Sequence, residues 1–502
     1  MTGMTRDELH RAIGMWGVAM CLLAAAAGWM FMRFGQAWSI ADLPVSPYVD
    51  DIVPAYVVAE VAMIPIGGKL IDSYGCRRIL SIAPFIYVIS SMLCVVTPTV
   101  EILVLFRFFQ GIGAGLILAI AFTCVGKYYD IDKRGKCNEL MTGAFAIGSL
   151  FGSGFGYYLT DTFNWRCGFI VFSVIMLIGF IVAWRFLPHD EYTGKSIDLP
   201  NACLTATVFG LATFYTQMAN AVFEISSPTS IALIAIIVLL TLLLIHRIHT
   251  ADDPIIPANT SLFEKILTIL MFMFSLCGLG LIQYFFKLYL TYFDFDIYKA
   301  SCMFLFMLAG AALTSMVGGR MVYRTGSRPW VIVGSIVVTI GLIVTHFIAD
   351  KGIPQFAASL FIFGMGLGCI VTEILCSMQC IVEKKDMGQH TGNLMAIRMI
   401  GIFSGSTLIG AYIGGLVHGH KPKVLDLSAT ENIITEIKNI LIEGLDYISE
   451  AMDSGFTMTA LFLAVITAGL TLFAYRYLGK DDLEALGAIE DVTEEDVTAP
   501  SE

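Results

Sequence analysis

Glu60 and Glu373 each stand inside a long apolar run, as do Arg107 and Gln110, three residues apart. An acid that can take up and release a proton within a membrane is what proton exchange requires. A guanidinium at that depth must face a bundle interior or a wet cavity. Glu373, Glu60 and Arg107 are therefore the candidates for proton coupling. Glu373 is read as functional in preference to a hydrogen-bonded structural acid. For Glu60 both readings stand, and Arg107 can equally be an arginine that only ties helices together through backbone carbonyls. Arg33 and Lys287 occupy equivalent sites 254 residues apart, and Arg398 lies early in a later run. With Gln110 they form the candidate substrate cavity. Taken singly, Arg33 and Lys287 suit snorkelling toward the interfaces; as a symmetric pair they would flank an outer cavity and favour anionic substrates.

The elements that must position these groups are membrane spans. Hydrophobic residues make up 57% of 502 positions and charged residues 14%, with a mean hydropathy of +0.77, so lipid must be the solvent. The net charge of -11 is concentrated in nine carboxylates, with no basic residue, between Asp481 and Glu502. That tail reads as a solvated cytoplasmic end. The twelve cysteines are scattered without a CxxC or a His/Cys cluster and read as buried thiols. No small-residue cleavage site follows the first apolar stretch, which should stay as a helix. The sequon at Asn259 is discounted because it falls on the cytoplasmic side. Neither a Walker A sequence nor HExxH is present, and no cofactor, metal or nucleic-acid partner is expected. The expected partners are a small organic substrate, protons and the bilayer, for a chain most simply monomeric.

Fourteen apolar runs of spanning length can be drawn, from 12–36 to 454–478. Gly68 to Arg78 returns as Gly319 to Arg328, offset by 251. Gly111, Gly113 and Gly115 return as Gly364, Gly366 and Gly368, offset by 253. The chain is thus expected to be all-α, two pseudo-symmetric six-helix bundles with two helices inserted between them. The N-terminal bundle covers 1–199, the inserted pair and linker 200–262, the C-terminal bundle 263–480, and the acidic tail 481–502. Residues 428–452 read as an amphipathic helix on the outer rim. With both termini cytoplasmic, the inner loops hold sixteen Lys and Arg and the outer loops four, as positive charge inside requires.

Three motifs extend this reading. The stretch from Ala55 through Pro65, Gly67, Gly68, Asp72, Gly75, Arg77 and Arg78 resembles the second helix and following loop of the major facilitator superfamily. Glycines let the helix end turn tightly, and Asp72 can face a helix N-terminus or a cation. The resemblance implies a conformational latch at Asp72, Gly75, Arg77 and Arg78 that stabilises an outward-facing state. Ser73 and Cys76 stand where the family usually has basic residues. Arg107 to Gly115 is similar to the fourth helix of that superfamily, whose proton-coupled members use this arginine in coupling. Gly148, Gly152 and Gly156 share one face of the fifth span and suit close helix packing. Exporters carry a Gly-Pro signature there, and Ser153 takes the place of the proline. Asn164-Trp165-Arg166 and Asp253-Pro254-Ile255-Ile256 look like the 14-helix drug/proton antiporter group.

The resemblance implies a secondary transporter in the plasma membrane of a prokaryote, exporting an amphipathic organic compound in exchange for protons. An importer of an organic anion, or a non-transporting sensor on the same scaffold, are the alternatives. Catalytic residues are not expected.

Overall fold

The computed structural model describes residues 5–189, 197–218, 227–279, 297–348, 353–418 and 463–476, apart from residues 252, 259 and 464. Arg6–Asp42 (α1) starts at a capping box, in which the Thr5 side chain and Glu8 satisfy each other's exposed backbone N–H groups. Ile52–Tyr74 (α2) ends at Gly75, whose φ of 85° only glycine adopts freely. Cys76–Leu80 (α3) and Ala83–Val95 (α4) together make the third expected span, broken by a turn. Val100–Tyr128 (α5), Ile131–Thr162 (α6) and Trp165–Phe186 (α7) complete the N-terminal half.

Leu199–Met218 (α8) and Pro228–Thr250 (α9) stand where the inserted pair is expected. Leu262–Phe274 (α10) opens the C-terminal half with a second capping box at Ser261, and runs into a π-helical turn over Ser275–Leu279. Ile297–Thr325 (α11), Arg328–Ile348 (α12), Ile353–Ile381 (α13) and Met387–His418 (α14) follow, with a last short helix over Val465–Arg476 (α15). Among the described residues, eight helices are long and apolar enough to cross a membrane. Lys287, the outer helix expected at 428–452 and the acidic tail lie outside the described residues.

The repeat is reproduced in the packing. Glycines are required where backbones touch, and they touch at equivalent points. A Cβ on Gly111 or Gly115 would strike the carbonyl oxygen of Tyr56 or Glu60 in α2; one on Gly364 or Gly368 would strike that of Met307 or Ala311 in α11. Both members of each contact are displaced by the offsets of the sequence repeat. Gly326, the counterpart of Gly75, likewise has a positive φ, 73°. Without a hydrophobic force between helices in lipid, such close approaches are a main source of association.

Where the halves meet, α2 lies against α14 and α6 against α11. Gly68 faces Gly388 in one seam and Gly135 faces Gly319 in the other. Both contacts lie at the end of the molecule that carries Lys69, Lys127 and Arg134, here called the basic face. The inserted α8 packs on the outside of the α2–α14 seam, with Gly210 against Val58 and Ala62. Helix α9 exposes Ile231, Leu239 and Leu242 to the surroundings, the pattern of a lipid-facing helix.

Candidate functional site

Arg107 is fully buried in α5. Its Nη1 donates to the Gly28 carbonyl at 3.2 Å and to Gln110 Oε1 at 2.6 Å, and its Nε donates to the Ile52 carbonyl at 3.4 Å. The guanidinium carbon lies 4.4 Å from the centroid of the Tyr56 ring. Gln110 continues the chain by donating from Nε2 to Ser91 Oγ at 2.6 Å. The hydroxyls of Tyr56 and Tyr87 donate to the carbonyls of Ala25 and Ala24 at 2.9 and 3.0 Å. One cation thereby joins α1, α2, α4 and α5. Gln110, expected at a cavity wall, is turned into this network, because it lies one helical turn from Arg107 on the same face.

The two acids have different surroundings. Glu60 is buried in α2, within electrostatic reach of Arg107. Glu373 is wholly buried in α13, and among the described residues neither carboxyl oxygen has a hydrogen-bond partner. It occupies space left by Gly318 of α11, where a Cβ would collide with Glu373 Oε1. The structure therefore brings Glu60 and Arg107 together in one half, while in the other no described cation faces Glu373.

At mid-depth the halves touch through aromatic rings. Trp29 of α1 packs edge-on against Phe403 of α14, with centroids 5.9 Å apart, and stacks on Phe145 of α6 at 6.5 Å. Arg33 is one turn further along the same side of α1. The Trp29 Nε1 and Arg33 Nη1 atoms are both buried without an acceptor among the described residues. Arg398 is buried in α14, with Nη1 3.9 Å from Met395 Sδ and with Nε unpartnered among the described residues. Gly148, Gly152 and Gly156 of α6 lie against Leu23, Ala27 and Phe31 of α1, one contact per turn.

At the basic face, Asp72 closes the α2–α14 seam. Its Oδ1 accepts from the backbone N–H of Gly388 at 2.9 Å and its Oδ2 from that of Gln389 at 2.7 Å, in the first turn of α14. These N–H groups have no partner within their own helix, and the helix dipole adds to the attraction. Lys127 of α5 pairs with Asp72 at 2.9 Å, so the cation comes from a neighbouring helix. Arg77 stays within its own half: Nη1 donates to the Leu187 carbonyl at 3.3 Å and meets His189 Nε2 at 2.6 Å, with the guanidinium 5.2 Å from the Trp184 ring. Arg78 is exposed.

A second tie escaped the sequence reading. Gln379 of α13 donates to the Phe122 carbonyl of α5 at 3.0 Å and accepts from Asn138 of α6 at 2.7 Å, while Arg134 donates to its backbone carbonyl. Polar Asn138 and Gln379 inside apolar runs were the available signal. Beside the linker lies a cavity of about 370 Å³ bordered by Ile256, Glu264, His390 and Ile397, with His390 Nδ1 3.1 Å from Glu264 Oε2.

Comparison with known proteins agrees with this geometry. A family model described as Major Facilitator Superfamily matches residues 21–406. The multidrug transporter protein MdtP of Bacillus subtilis is 24% identical, the match covering 74% of this chain and 70% of that protein. Multidrug resistance protein 3 of the same organism is also 24% identical, with 78% of each chain covered. Among solved structures, the proton:xylose symporter XylE bound to 6-bromo-6-deoxy-D-glucose matches with a TM-score of 0.61 at 13% identity, covering 96% of this chain and 99% of that one. The human organic anion transporter MFSD10 matches with a TM-score of 0.59 at 12% identity, covering 92% and 100%.

Proposed function

Because this chain belongs to the major facilitator superfamily, and is a multi-pass membrane transporter and not an enzyme, we propose that it exports an amphipathic organic compound in exchange for protons by alternating access. The observation that carries proton coupling is Glu373, a wholly buried carboxyl whose two oxygens have no hydrogen-bond partner among the described residues. Charging such a group without a partner is costly in a bilayer interior, so proton binding there is coupled to whatever admits water. The names of the two Bacillus relatives support drug-like cargo.

The asymmetry of Lys and Arg assigns the basic face to the cytoplasm. Closure by Asp72 and Gln379 there then corresponds to an outward-facing state, and Trp29 with Phe403 forms the floor of the path. Two six-helix halves (1–199 and 263–480) flanking the inserted 200–262 make fourteen spans, the layout of the 14-helix antiporters, in a bacterial plasma membrane. The donors of Arg33 and Arg398 that have no acceptor among the described residues favour a second reading, import of an organic anion.

Reconstituted protein with an imposed pH gradient tests the proposal, using one lipophilic cationic dye and one carboxylated dye as probes. Dye movement should release lumenal protons in the wild type. Glu373→Gln should keep dye binding and lose the dependence on the gradient. Unchanged pH dependence in that variant removes Glu373 from the mechanism, and co-directional movement of dye and proton replaces antiport with symport.

A further inference from the structure

The chain between the inserted α9 and α10 crosses the basic end of the α2–α14 seam and is bonded to both sides of it. Lys69 of α2 is buried, and its Nζ pairs with Asp253 Oδ1 at 2.5 Å and reaches Gln389 Oε1 of α14 at 3.3 Å. Gln389 Nε2 donates to the Pro254 carbonyl at 2.8 Å, and Asn393 Nδ2, one turn on, donates to the Ile255 carbonyl at 3.1 Å. Ile255 is fully buried, and its N–H donates to Asn201 Oδ1 at the start of α8 at 3.3 Å. The segment is thus fastened to one helix of each half and to the inserted pair.

We propose that residues 253–256 form a strap that locks the basic face shut, with Lys69, Asp253 and Gln389 as positioning residues for the transport cycle. The inference rests on the alternating-access reading and goes beyond it, because it gives the inserted helices a role in the conformational balance. Opening the seam moves α2 away from α14, so the strap must release at least one of them. If Lys69 parts from Asp253 and Gln389, a buried ammonium is left without its partners, which is unfavourable until water enters. Asp72 fastens the same two helices through the backbone of Gly388 and Gln389, whereas the strap acts through side chains that reach linker residues, so the two are latches in parallel.

Native thiols provide the readout. Cys376 lies 3.4 Å from Asn138 Nδ2 in the seam between the halves, and Cys380 is buried one turn on. Their alkylation by a membrane-impermeant maleimide, followed residue by residue by mass spectrometry in inside-out vesicles, reports opening of the basic face. Asp253→Asn and Lys69→Gln should each raise the rate roughly two- to tenfold, the double variant should add little to either, and the exchanged pair Lys69→Asp with Asp253→Lys should recover part of the wild-type rate. Gln389→Leu, which cuts the contacts to Pro254 and Lys69 but leaves Lys69 its ion pair with Asp253, is read in place of any variant that does not reach the membrane folded. Rates unchanged in Asp253→Asn while Asp72→Asn raises them overturn the strap and keep the alternating-access reading. Rates unchanged in both overturn the two together, and strictly additive effects of Lys69→Gln and Asp253→Asn also overturn the strap.

Discussion

Gly68 of α2 and Gly388 of α14 face each other across the seam with no room for a side chain on either, since a Cβ on one would collide with the carbonyl oxygen of the other. Their symmetry mates, Gly135 and Gly319, repeat the contact between α6 and α11. The approach of these backbones lets Asp72, one turn beyond Gly68, reach the N–H groups of Gly388 and Gln389.

A wedge at this point should therefore open the basic face. Gly68→Val pushes α14 away and lengthens the Asp72 hydrogen bonds, so Cys376 should alkylate faster from that side by roughly fivefold or more, for the loss of about 1 kcal/mol of closure. Gly143→Ala in α6, where a Cβ meets nothing within 4 Å, should leave the rate unchanged. Equal rates in both variants would show that the Gly68–Gly388 contact does not set closure.

Arg107 separates a structural from a coupling role. Losing its bonds to Gly28, Ile52 and Gln110 in Arg107→Met should cost roughly 3 kcal/mol, and Arg107→Lys, which keeps the charge without the fork, should cost about half as much. Thermal unfolding in detergent measures the order. A methionine variant as stable as the wild type but without pH-dependent transport would place this residue in coupling and not in the scaffold.

The end of α1 gives a pH dependence outside the membrane interior. Arg166, and then Trp165 Nε1 at 3.1 Å, donate to the Asp42 carboxylate and hold its pKa below the ordinary aspartate value. A depressed value in the folded state stabilises at pH above the unfolded value, about 3.9, and that contribution disappears as pH falls through the lower folded value. Asp42→Asn should thus lower the melting temperature by a constant amount from pH 7 to 5, with the difference from wild type shrinking below about pH 4. A constant difference down to pH 2 would mean that the Asp42 charge contributes nothing.

Much of this was legible along the chain. The glycines at Gly111, Gly115, Gly364 and Gly368 marked helix contacts, because only a missing Cβ permits that approach, and their spacing revealed the repeat before any helix was placed. Glu60, Arg107 and Glu373 stood out because ionisable groups are rare in apolar runs. Hydropathy therefore determined the helices and the buried charges, which are local properties of helix and solvent. What tertiary structure alone decided was partnership. Lys69 reaches Asp253 and Gln389, Asp72 reaches the first turn of α14, and Gln110 turns into the Arg107 network instead of a cavity. A pattern along one helix records which face is buried but not which helix covers it, and these partners, except Gln110, lie nearly 200 or more residues apart, joined only when the two halves close.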